Sequence, residues 1–280
     1  MISDKFSTIN FLDNQIDSGG LRKMNIFKES CDGNNLITIL TVVKNGENFI
    51  EENILSIKNQ TFRNYEHIII DGGSTDGTIK IIKKYNNHID YWCSQKDEGL
   101  YYGFNKALLL ARGNYVGFVN SDDVLTANCL ELLNAYINKY PDLDFFFGAV
   151  KKHWAVLHGY RPWKIKFSWG FYTSHSTGFF IKSKSAKKIG FYNTKYKYSA
   201  DYDYFYRMIV KHKMKGIGTK KEEVFGVFRR GGFSSTVKFT DHFYEEIRIR
   251  LDNGQNKLLV FLIFFYKGIR NFKKIIFRDK

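Results

Sequence analysis

From Leu36 onwards the chain alternates strand-like segments with segments of helical periodicity, and this alternation constrains the fold more than any other feature. Buried strands are predicted at Ile37–Val43, Glu66–Ile70, Ile89–Cys93, Tyr115–Asn120 and Phe145–Val150. Helices are predicted at Phe49–Gln60, Thr78–Tyr85, Leu100–Ala111 and Asn128–Tyr140. Such alternation is typical of a three-layer α/β structure with a mainly parallel sheet, whose right-handed crossovers bring every strand–helix loop to one edge.

The composition is that of a folded chain with a large positive charge. Of 280 residues, 44% are hydrophobic and 17% aromatic, which is too apolar for a disordered protein. The net charge of +15 favours anionic partners such as nucleotides, phosphorylated lipids, a membrane surface or nucleic acid. Cys31, Cys93 and Cys129 form neither a disulfide framework nor a CxxC motif, and acids interrupt the N-terminal segment. We therefore expect a cytoplasmic protein.

The segment Ile68–Thr78 places an acid at the end of the second predicted strand. Asp71 is followed by two glycines, which allow a close approach of the backbone, and then by Ser74 and Asp76. A carboxylate here can accept a hydrogen bond from the imide N–H of a uracil ring. The spacing matches neither a GxGxxG fingerprint nor a phosphate loop. A well-capped strand–helix turn explains the same residues equally well.

The fourth predicted strand ends in two adjacent acids, Asp122 and Asp123. Open α/β sheets bind ligands at the carboxyl ends of their strands. Neighbouring carboxylates repel each other unless a cation, a proton or a polar ligand compensates them. Hard oxygen ligands suit Mn²⁺ or Mg²⁺ bridging a diphosphate. The pair therefore indicates a divalent metal with an anionic ligand, and a turn before the Asn128 helix is the alternative.

Four further residues are candidates for a site. Lys106 lies on the helix after Gly99, and the helix start and the lysine can face an anionic ligand. An ordinary amphipathic helix is the alternative explanation of this segment. His175 can contact a diphosphate, a metal or an acceptor, or be structural. Asp201 and Asp203 precede or open an aromatic-rich helix. An acid there can act as a general base near a hydroxyl group, or simply stabilise the helix start.

Together and in this order, these segments resemble the family 2 inverting glycosyltransferases with the GT-A fold, over about residues 36–235. The resemblance is carried by Ile37–Asn45, Asn59–Thr78, Asp97–Leu108, Gly113–Leu125, His175–Ile181, Ile189–Arg207 and Phe228–Thr236. The chain is most similar to members that build bacterial surface polysaccharides, including O-antigen and capsule units. One position departs from the family pattern, because Asn120 stands where the acidic motif often has its first aspartate.

The resemblance implies a role for each candidate residue. It implies that the nucleotide-sugar is bound by Thr41, Val43, Asp71, Ser74, Asp76, Lys106 and Asp122. Asp122 would contact the ribose or the sugar, and Asp123 would coordinate Mn²⁺ or Mg²⁺. Asp201 stands where the family has its general base, with Asp203 as the second choice.

The implied reaction is an inverting displacement at the anomeric carbon of a nucleotide-sugar, with UDP the favoured nucleotide. The metal would neutralise charge on the leaving diphosphate, and Asp201 would take the proton of the acceptor hydroxyl. The acceptor would be a glycan or a polyprenyl-linked sugar. Two other functions remain open, namely a basic nucleic-acid-binding protein, for which no motif is present, and a catalytically inert relative that binds nucleotide-sugars.

Composition divides the chain into parts. We expect an N-terminal extension over 1–35, a GT-A domain over 36–250 with a nucleotide-sugar half (36–150) and an acceptor half (151–250), and a basic amphipathic tail over 251–280. Lys257–Lys280 carries seven basic residues and one acid, and its nine-residue apolar run is shorter than the roughly 20 residues that span a bilayer. The tail therefore predicts an interfacial helix on the anionic inner face of the cell membrane, or a helix docked on the domain or on another subunit.

Overall fold

The computed structural model of the chain describes residues 17–30, 35–167, 176–229 and 237–272. Its strands are β1 Asp17–Gly19, β2 Ile37–Val43, β3 Tyr65–Asp71, β4 Tyr91–Ser94, β5 Tyr115–Phe118, β6 Val124–Leu125, β7 Phe145–Phe147, β8 Ala149–Lys151, β9 Val156–Leu157, β10 Phe179–Lys182, β11 Gly216–Gly218 and β12 Val224–Val227. The described helices are α1 Ile50–Lys58, α2 Thr78–Lys84, α3 Leu100–Leu110, α4 Cys129–Lys139, α5 Lys164–Phe167, α6 Ser183–Ile189, α7 Ala200–Tyr206, α8 Phe239–Asp252 and α9 Lys257–Arg270.

An eight-stranded sheet with the order β1-β4-β3-β2-β5-β10-β7-β11 forms the centre of the molecule. Strands β2 to β5 run parallel to one another, and β10 and β1 join this parallel block in antiparallel orientation. Strand β2 lies between β3 and β5, so the carboxyl ends of these three strands are neighbours. The predicted α/β fold with a mainly parallel sheet is therefore confirmed.

Helices cover both faces of this sheet. Leu40 and Val42 of β2 pack on one face with Phe104 of α3. Ile39, one position away from Leu40, packs on the other face with Leu133 of α4. The alternation follows the two-residue period of a strand. Because both faces are buried, side chains near the strand ends are the ones that can reach a ligand.

The segment Phe145–Val150, predicted as one strand, forms two strands in different sheets. Strand β7 belongs to the central sheet, and β8 belongs to a four-stranded sheet with the order β6-β12-β8-β9. Gly148 joins them, and a Cβ atom at this position would lie 2.0 Å from the ring of Phe225. The second sheet matters for the site because β6, which follows Asp123, pairs with β12.

Both ends of the described chain are attached to this core. Strand β1 pairs with β4 at the sheet edge, so part of the predicted N-terminal extension completes the sheet. Helix α8 is anchored by the hydroxyl group of Tyr196, which donates to Asp252 Oδ2 (2.7 Å). Cys93 and Cys129 are buried free thiols, and Cys31 lies outside the described residues.

No helix in the described ranges combines the length and the apolar character needed to cross a membrane.

Candidate active site

The loops after β2 and β3 are joined by hydrogen bonds between side chains and backbone. The N–H of Asn45 donates to Ser74 Oγ (2.7 Å), and the N–H of Thr75 donates back to Asn45 Oδ1 (2.9 Å). The N–H of Glu47 donates to Asp76 Oδ2 (3.1 Å). Helix α2 begins at Thr78, so Ser74 lies outside it, bridging the loops rather than capping the helix. The two loops therefore form one fixed wall at the carboxyl edge of the sheet.

Asp71 lies at the base of this wall and is fully buried. Its carboxylate accepts hydrogen bonds from the N–H groups of Gly73 (3.0 Å) and Ser74 (2.9 Å) and from the hydroxyl groups of Ser74 (2.5 Å) and Ser94 (2.7 Å). A carboxylate offers about four acceptor positions. Asp71 therefore fixes the shape of the loop, and a nucleobase N–H would have to share or displace one of these donors.

The two candidates on β2 have buried side chains, although Val43 ends the strand next to Asp71. Thr41 is fully buried, and its hydroxyl group is hydrogen-bonded to His67 Nε2 (3.1 Å) and Asn53 Oδ1 (3.3 Å). Burial lowers the pKa of His67 to about 3, so this ring is neutral. Val43 packs against Ile69. Because a central strand is covered on both faces, a nucleobase contact from β2 would have to come from its backbone.

Asp97, after β4, is a further candidate site residue that was not predicted from the sequence. A Cβ atom on Gly72 would lie 2.9 Å from Asp97 Oδ2, so this carboxylate touches the loop after β3. Burial raises the pKa of Asp97, and the positive charge of Lys106 opposes the shift. Lys106 Nζ donates to Gln95 Oε1 (3.0 Å). An acid that follows a parallel strand was the signal for Asp71, and the same signal identifies Asp97.

The adjacent acids after β5 differ in burial and in their hydrogen-bond partners. Asp123 is fully buried and accepts hydrogen bonds from the hydroxyl group of Thr177 and from the N–H of Arg229 (3.1 Å). Burial, followed by the charge of Asp122, raises the pKa of Asp123 to about 7. Asp122 is partly exposed. Burial also raises the pKa of Asp122. Asp122 is therefore the more exposed acid of a pair that is largely enclosed, and Asp123 is held inside.

Asn120 and Asn53 hold this acidic loop in place. The side-chain amide of Asn120 lies 3.5 Å from Asp123 Oδ2 and 3.4 Å from Ser176 Oγ, as weak hydrogen bonds. An aspartate at position 120 would direct a second negative charge at Asp123, which explains the amide here. Asn53 on α1 donates to the backbone oxygens of Asn120 (2.9 Å) and Asp123 (2.9 Å). This contact of Asn53 was not expected from the sequence.

Asp201 opens α7 and is linked to α3 by a tyrosine. The hydroxyl group of Tyr101 lies 3.2 Å from Asp201 Oδ1 and 3.2 Å from the backbone oxygen of Tyr198, and it can donate to either. The N–H of Tyr202 donates to Asp201 Oδ1 (2.8 Å). Burial raises the pKa of Asp201 to about 6. Helix α3 follows Asp97 and carries Tyr101, so it connects the loop after β4 to Asp201.

Asp203, the second candidate base, is engaged in a buried ion pair. Its Oδ2 lies 2.8 Å from Arg207 Nε, with the two side chains 3% and 16% exposed. Its Oδ1 accepts a hydrogen bond from the side chain of Asn253 (2.8 Å). These contacts fix the position of α7 and leave Asp201 as the more available acid. His175 lies outside the described residues.

The donor set at this edge is suited to a metal held mainly by a bound substrate. Within the described ranges, no group of three or more His, Cys, Asp or Glu side chains is arranged to hold an ion. Mg²⁺ and similar ions are commonly bound by one or two carboxylates together with substrate phosphates. Asp122, partly exposed after β5, can supply one such carboxylate.

Solved structures with the same fold are glycosyltransferases. Residues 1–349 of TarS of S. aureus, in complex with UDP-GlcNAc, align with a TM-score of 0.61 and 17% identity, covering 85% of this chain and 72% of that TarS chain. The mannosyltransferase PcManGT of Pyrobaculum calidifontis, in complex with GDP-Man and Mn²⁺, aligns with a TM-score of 0.62 and 15% identity, covering 89% of this chain and 74% of PcManGT. The predicted GT-A fold is thereby confirmed.

Sequence comparison gives the family. An uncharacterized glycosyltransferase of Methanocaldococcus jannaschii is 29% identical over 184 residues, which are 61% of this chain and 63% of that protein. The putative teichuronic acid biosynthesis glycosyltransferase TuaG of Bacillus subtilis is 35% identical over 101 residues, which are 34% of this chain and 39% of TuaG. The chain spans less than two thirds of the length of the first curated relatives. The model of glycosyl transferase family 2 matches residues 38–205, so the chain belongs to this family.

Proposed function

We propose that the chain transfers a sugar from a nucleoside diphosphate donor, UDP in the first instance, to a hydroxyl group of a glycan or lipid-linked acceptor, with inversion. One observation carries the proposal. The acid-bearing loops after β3, β4 and β5 meet at one sheet edge, and α3 connects this edge to Asp201. A single displacement needs this combination of a site for an anionic leaving group and a base beside the acceptor.

On the donor side we assign the nucleoside to the wall formed by the loops after β2 and β3. Asp71 lies at the base of this wall, and Asp97 touches it from the loop after β4. Asp71 ends β3 next to two glycines, and Asp97 is a partly exposed acid that touches the same loop. The charge of Lys106 interacts favourably with that of Asp97, and Lys106 can also face the diphosphate. Ser74 and Asp76 shape the wall through their bonds to Asn45 and Glu47.

We assign the metal to Asp122 rather than Asp123. Asp122 is the more exposed acid of the pair, whereas the oxygens of Asp123 already accept hydrogen bonds from Thr177 and Arg229. Mn²⁺ or Mg²⁺, when bound there, would neutralise the charge that develops on the leaving nucleoside diphosphate. Asp123 and Asn120, which contact each other, would then hold the loop that carries Asp122 in position.

On the acceptor side Asp201 takes the proton from the attacking hydroxyl group. Its pKa of about 6 leaves the carboxylate ionised at neutral pH, while it is more basic than an ordinary aspartate. The acceptor oxygen forms a bond to the anomeric carbon as the bond to the nucleoside diphosphate breaks. One displacement inverts the anomeric configuration and needs no covalent intermediate with the protein.

We place this reaction in the assembly of surface polysaccharides at the cytoplasmic face of the cell membrane. TuaG is named for teichuronic acid biosynthesis, and a chondroitin synthase of Escherichia coli is 37% identical over 99 residues, which are 35% of this chain and 14% of that protein. Both names refer to the synthesis of a polysaccharide, which supports this assignment. A polyprenyl-linked acceptor would fit this assignment.

The proposal is tested by measuring thermal stability and turnover with UDP, UDP-GlcNAc and GDP-mannose, with and without Mn²⁺. A ligand that binds the native state raises the melting temperature, and a concentration of about 100 times its Kd adds about 2.7 kcal/mol. We expect UDP and a UDP-sugar to raise the melting temperature, more strongly with Mn²⁺, and we expect UDP release in the presence of an acceptor. No shift with any nucleotide would refute the proposal, and binding without turnover would support an inert relative.

The metal assignment predicts different effects for the two adjacent acids. Asp122→Ala should weaken UDP binding in Mn²⁺ by at least about tenfold and have little effect in EDTA, because the carboxylate proposed to coordinate the metal is lost. Asp123→Ala should mainly lower the melting temperature, because the partners of a buried carboxylate lose their acceptor. Titration of UDP with and without Mn²⁺ separates these results. A Mn²⁺ effect that survives in Asp122→Ala would contradict the assignment.

A further inference from the structure

Helix α9 has a docked face and an exposed apolar face. Val260, Ile263 and Lys267 are buried. The exposed face consists of side chains that are 55% to 69% exposed, namely Leu258, Phe261, Leu262, Phe265, Tyr266 and Ile269. At about 100° per residue, this exposed face covers an arc of about 140° directly opposite the docked face. Monomeric proteins rarely expose a continuous apolar surface of this kind without a partner for it.

The docked face is fixed to α8, so the exposed face has a defined position on the molecule. Lys267 Nζ pairs with Glu246 Oε1 (2.8 Å), with the two side chains 7% and 6% exposed. Arg250 pairs with the same oxygen at 2.6 Å. The rings of Phe243 and Phe264 stack with centroids 5.3 Å apart. Rotating α9 to hide its apolar face would break these contacts, and breaking a buried ion pair is costly.

Basic residues border the exposed face. By helical position, Lys257 and Arg270 lie about 40° beyond its two margins. Side chains of this type can extend to lipid headgroups while their stems follow apolar surface. The sequence Lys257–Lys280 carries seven basic residues and a single acid. An apolar face with cationic margins is complementary to an anionic membrane surface.

We propose that the exposed face of α9 is a membrane-docking surface that inserts into the headgroup region of an anionic bilayer. A second copy of the chain fits this face less well. Two copies joined through it would bring two strongly basic segments together, and the like charges would repel each other. The proposal builds on the lipid-linked acceptor of the proposed function, since docking would hold the enzyme at the membrane that carries the acceptor.

The test uses the full-length protein and cosedimentation with phosphatidylglycerol vesicles or phosphatidylcholine vesicles. The wild type should bind phosphatidylglycerol vesicles. The variant Phe265→Glu/Ile269→Glu should bind them at least about tenfold more weakly, because two exposed apolar side chains of the docking face become acidic. Ile26→Glu is the matched control, since Ile26 is 50% exposed elsewhere on the surface. This variant should bind phosphatidylglycerol vesicles as the wild type does.

A second variant tests the cationic margin. Lys257→Gln/Arg270→Gln should reduce binding to phosphatidylglycerol vesicles by about tenfold or more, because each basic residue near an anionic surface contributes to the attraction. Equal binding by the wild type and both double variants would overturn the proposal. A wild-type dimer that the Phe265→Glu/Ile269→Glu variant dissociates, measured by light scattering, would also overturn it, in favour of a contact between copies.

The result is independent of the catalytic assignment. Donor binding is followed by the thermal shift with UDP in the absence of vesicles. If UDP raises the melting temperature while vesicles are not bound, the docking proposal alone fails. If vesicles are bound and no nucleotide raises the melting temperature, the proposed function fails and the docking surface stands.

Discussion

Asp71 and Asp201 are both acids at the candidate site, yet their surroundings differ. Asp71 accepts four hydrogen bonds, all from residues of its own loop and of the neighbouring strand β4. Asp201 accepts one from a backbone N–H and one from Tyr101, and burial raises its pKa to about 6. Hydrogen bonds favour the charged form of a carboxylate, and desolvation disfavours it. These surroundings fit the roles proposed above, with Asp71 as a structural acceptor and Asp201 as the base.

The two sides of the site also differ in how far apart their partners lie in the sequence. The donors to Asp71 come from within 23 residues along the chain. The hydroxyl group that reaches Asp201 comes from Tyr101, 100 residues earlier. The proposed donor side is therefore formed by neighbouring loops of one sheet, whereas the proposed acceptor side depends on the contact between α7 and α3. Changes on the two sides should have separable effects on binding and on turnover.

The largest expected effect is the loss of the base. Asp201→Asn keeps the size of the side chain and removes its ability to take a proton, so we expect kcat to fall by about 10²- to 10⁴-fold. Binding of UDP should stay close to wild type, because Asp201 lies on the acceptor side. Steady-state kinetics with a UDP-sugar and acceptor, together with UDP titration, measure both. Full turnover in this variant would show that Asp201 is not the base.

Asp203→Asn is the matched control on the same helix. It breaks the ion pair with Arg207, whose partners are largely buried, and loss of such a pair costs about 3–5 kcal/mol. We expect a lower melting temperature with most of the turnover retained in the folded fraction. Loss of turnover without loss of stability would reverse the roles of these two acids.

A smaller effect is expected at Asn53, which holds the acidic loop after β5. Asn53→Leu removes both donors to the backbone oxygens of Asn120 and Asp123, and each buried acceptor left unsatisfied costs about 1–3 kcal/mol. We expect a lower melting temperature and a several-fold higher KM for the donor, with the KM for the acceptor unchanged. Kinetics with each substrate varied in turn measure this difference.

Gln60→Leu provides the comparison for Asn53→Leu. Gln60 is also fully buried. Its side chain donates a hydrogen bond to the backbone oxygen of Thr126 (2.7 Å) and accepts one from the N–H of Leu130 (3.0 Å), and neither residue belongs to the acidic loop. It should lower the melting temperature without changing the KM for the donor. If both variants change that KM equally, the effect is one of general stability, and Asn53 has no specific role in positioning the loop.

Most of the nucleotide-side framework was predictable from the sequence because local periodicity determines it. The strand predicted at Glu66–Ile70 is Tyr65–Asp71, and the helix predicted at Leu100–Ala111 is Leu100–Leu110. The elements that were not predicted depend on contacts between residues that are distant in the sequence. Strand Asp17–Gly19 has no apolar pattern and forms because β4 offers a free edge. The break at Gly148 depends on Phe225, which lies far along the chain.

The positions of the site acids were predictable, whereas the directions of their side chains were not. A parallel sheet places Asp71 and Asp122 at one edge whatever the details of packing. Which of Asp122 and Asp123 turns inward depends on Thr177 and Arg229, which follow Asp123 by 54 and 106 residues. No local pattern contains that information. The burial of Thr41 beneath Asn53 and His67 was hidden for the same reason.

The smallest effect is a shift in the pH profile. The base must be ionised, so kcat/KM should rise with pH through the Asp201 pKa of about 6 and level off above it. The hydroxyl group of Tyr101 stabilises the ionised form, and the negative charge of Glu245 disfavours it. Tyr101→Phe should therefore move the acid limb to higher pH, with a several-fold loss near pH 6 and little change on the plateau. Glu245→Gln should move it to lower pH. Profiles measured for the wild type and both variants give the two directions, and a shift of the same sign in both would mean that a different group controls the limb.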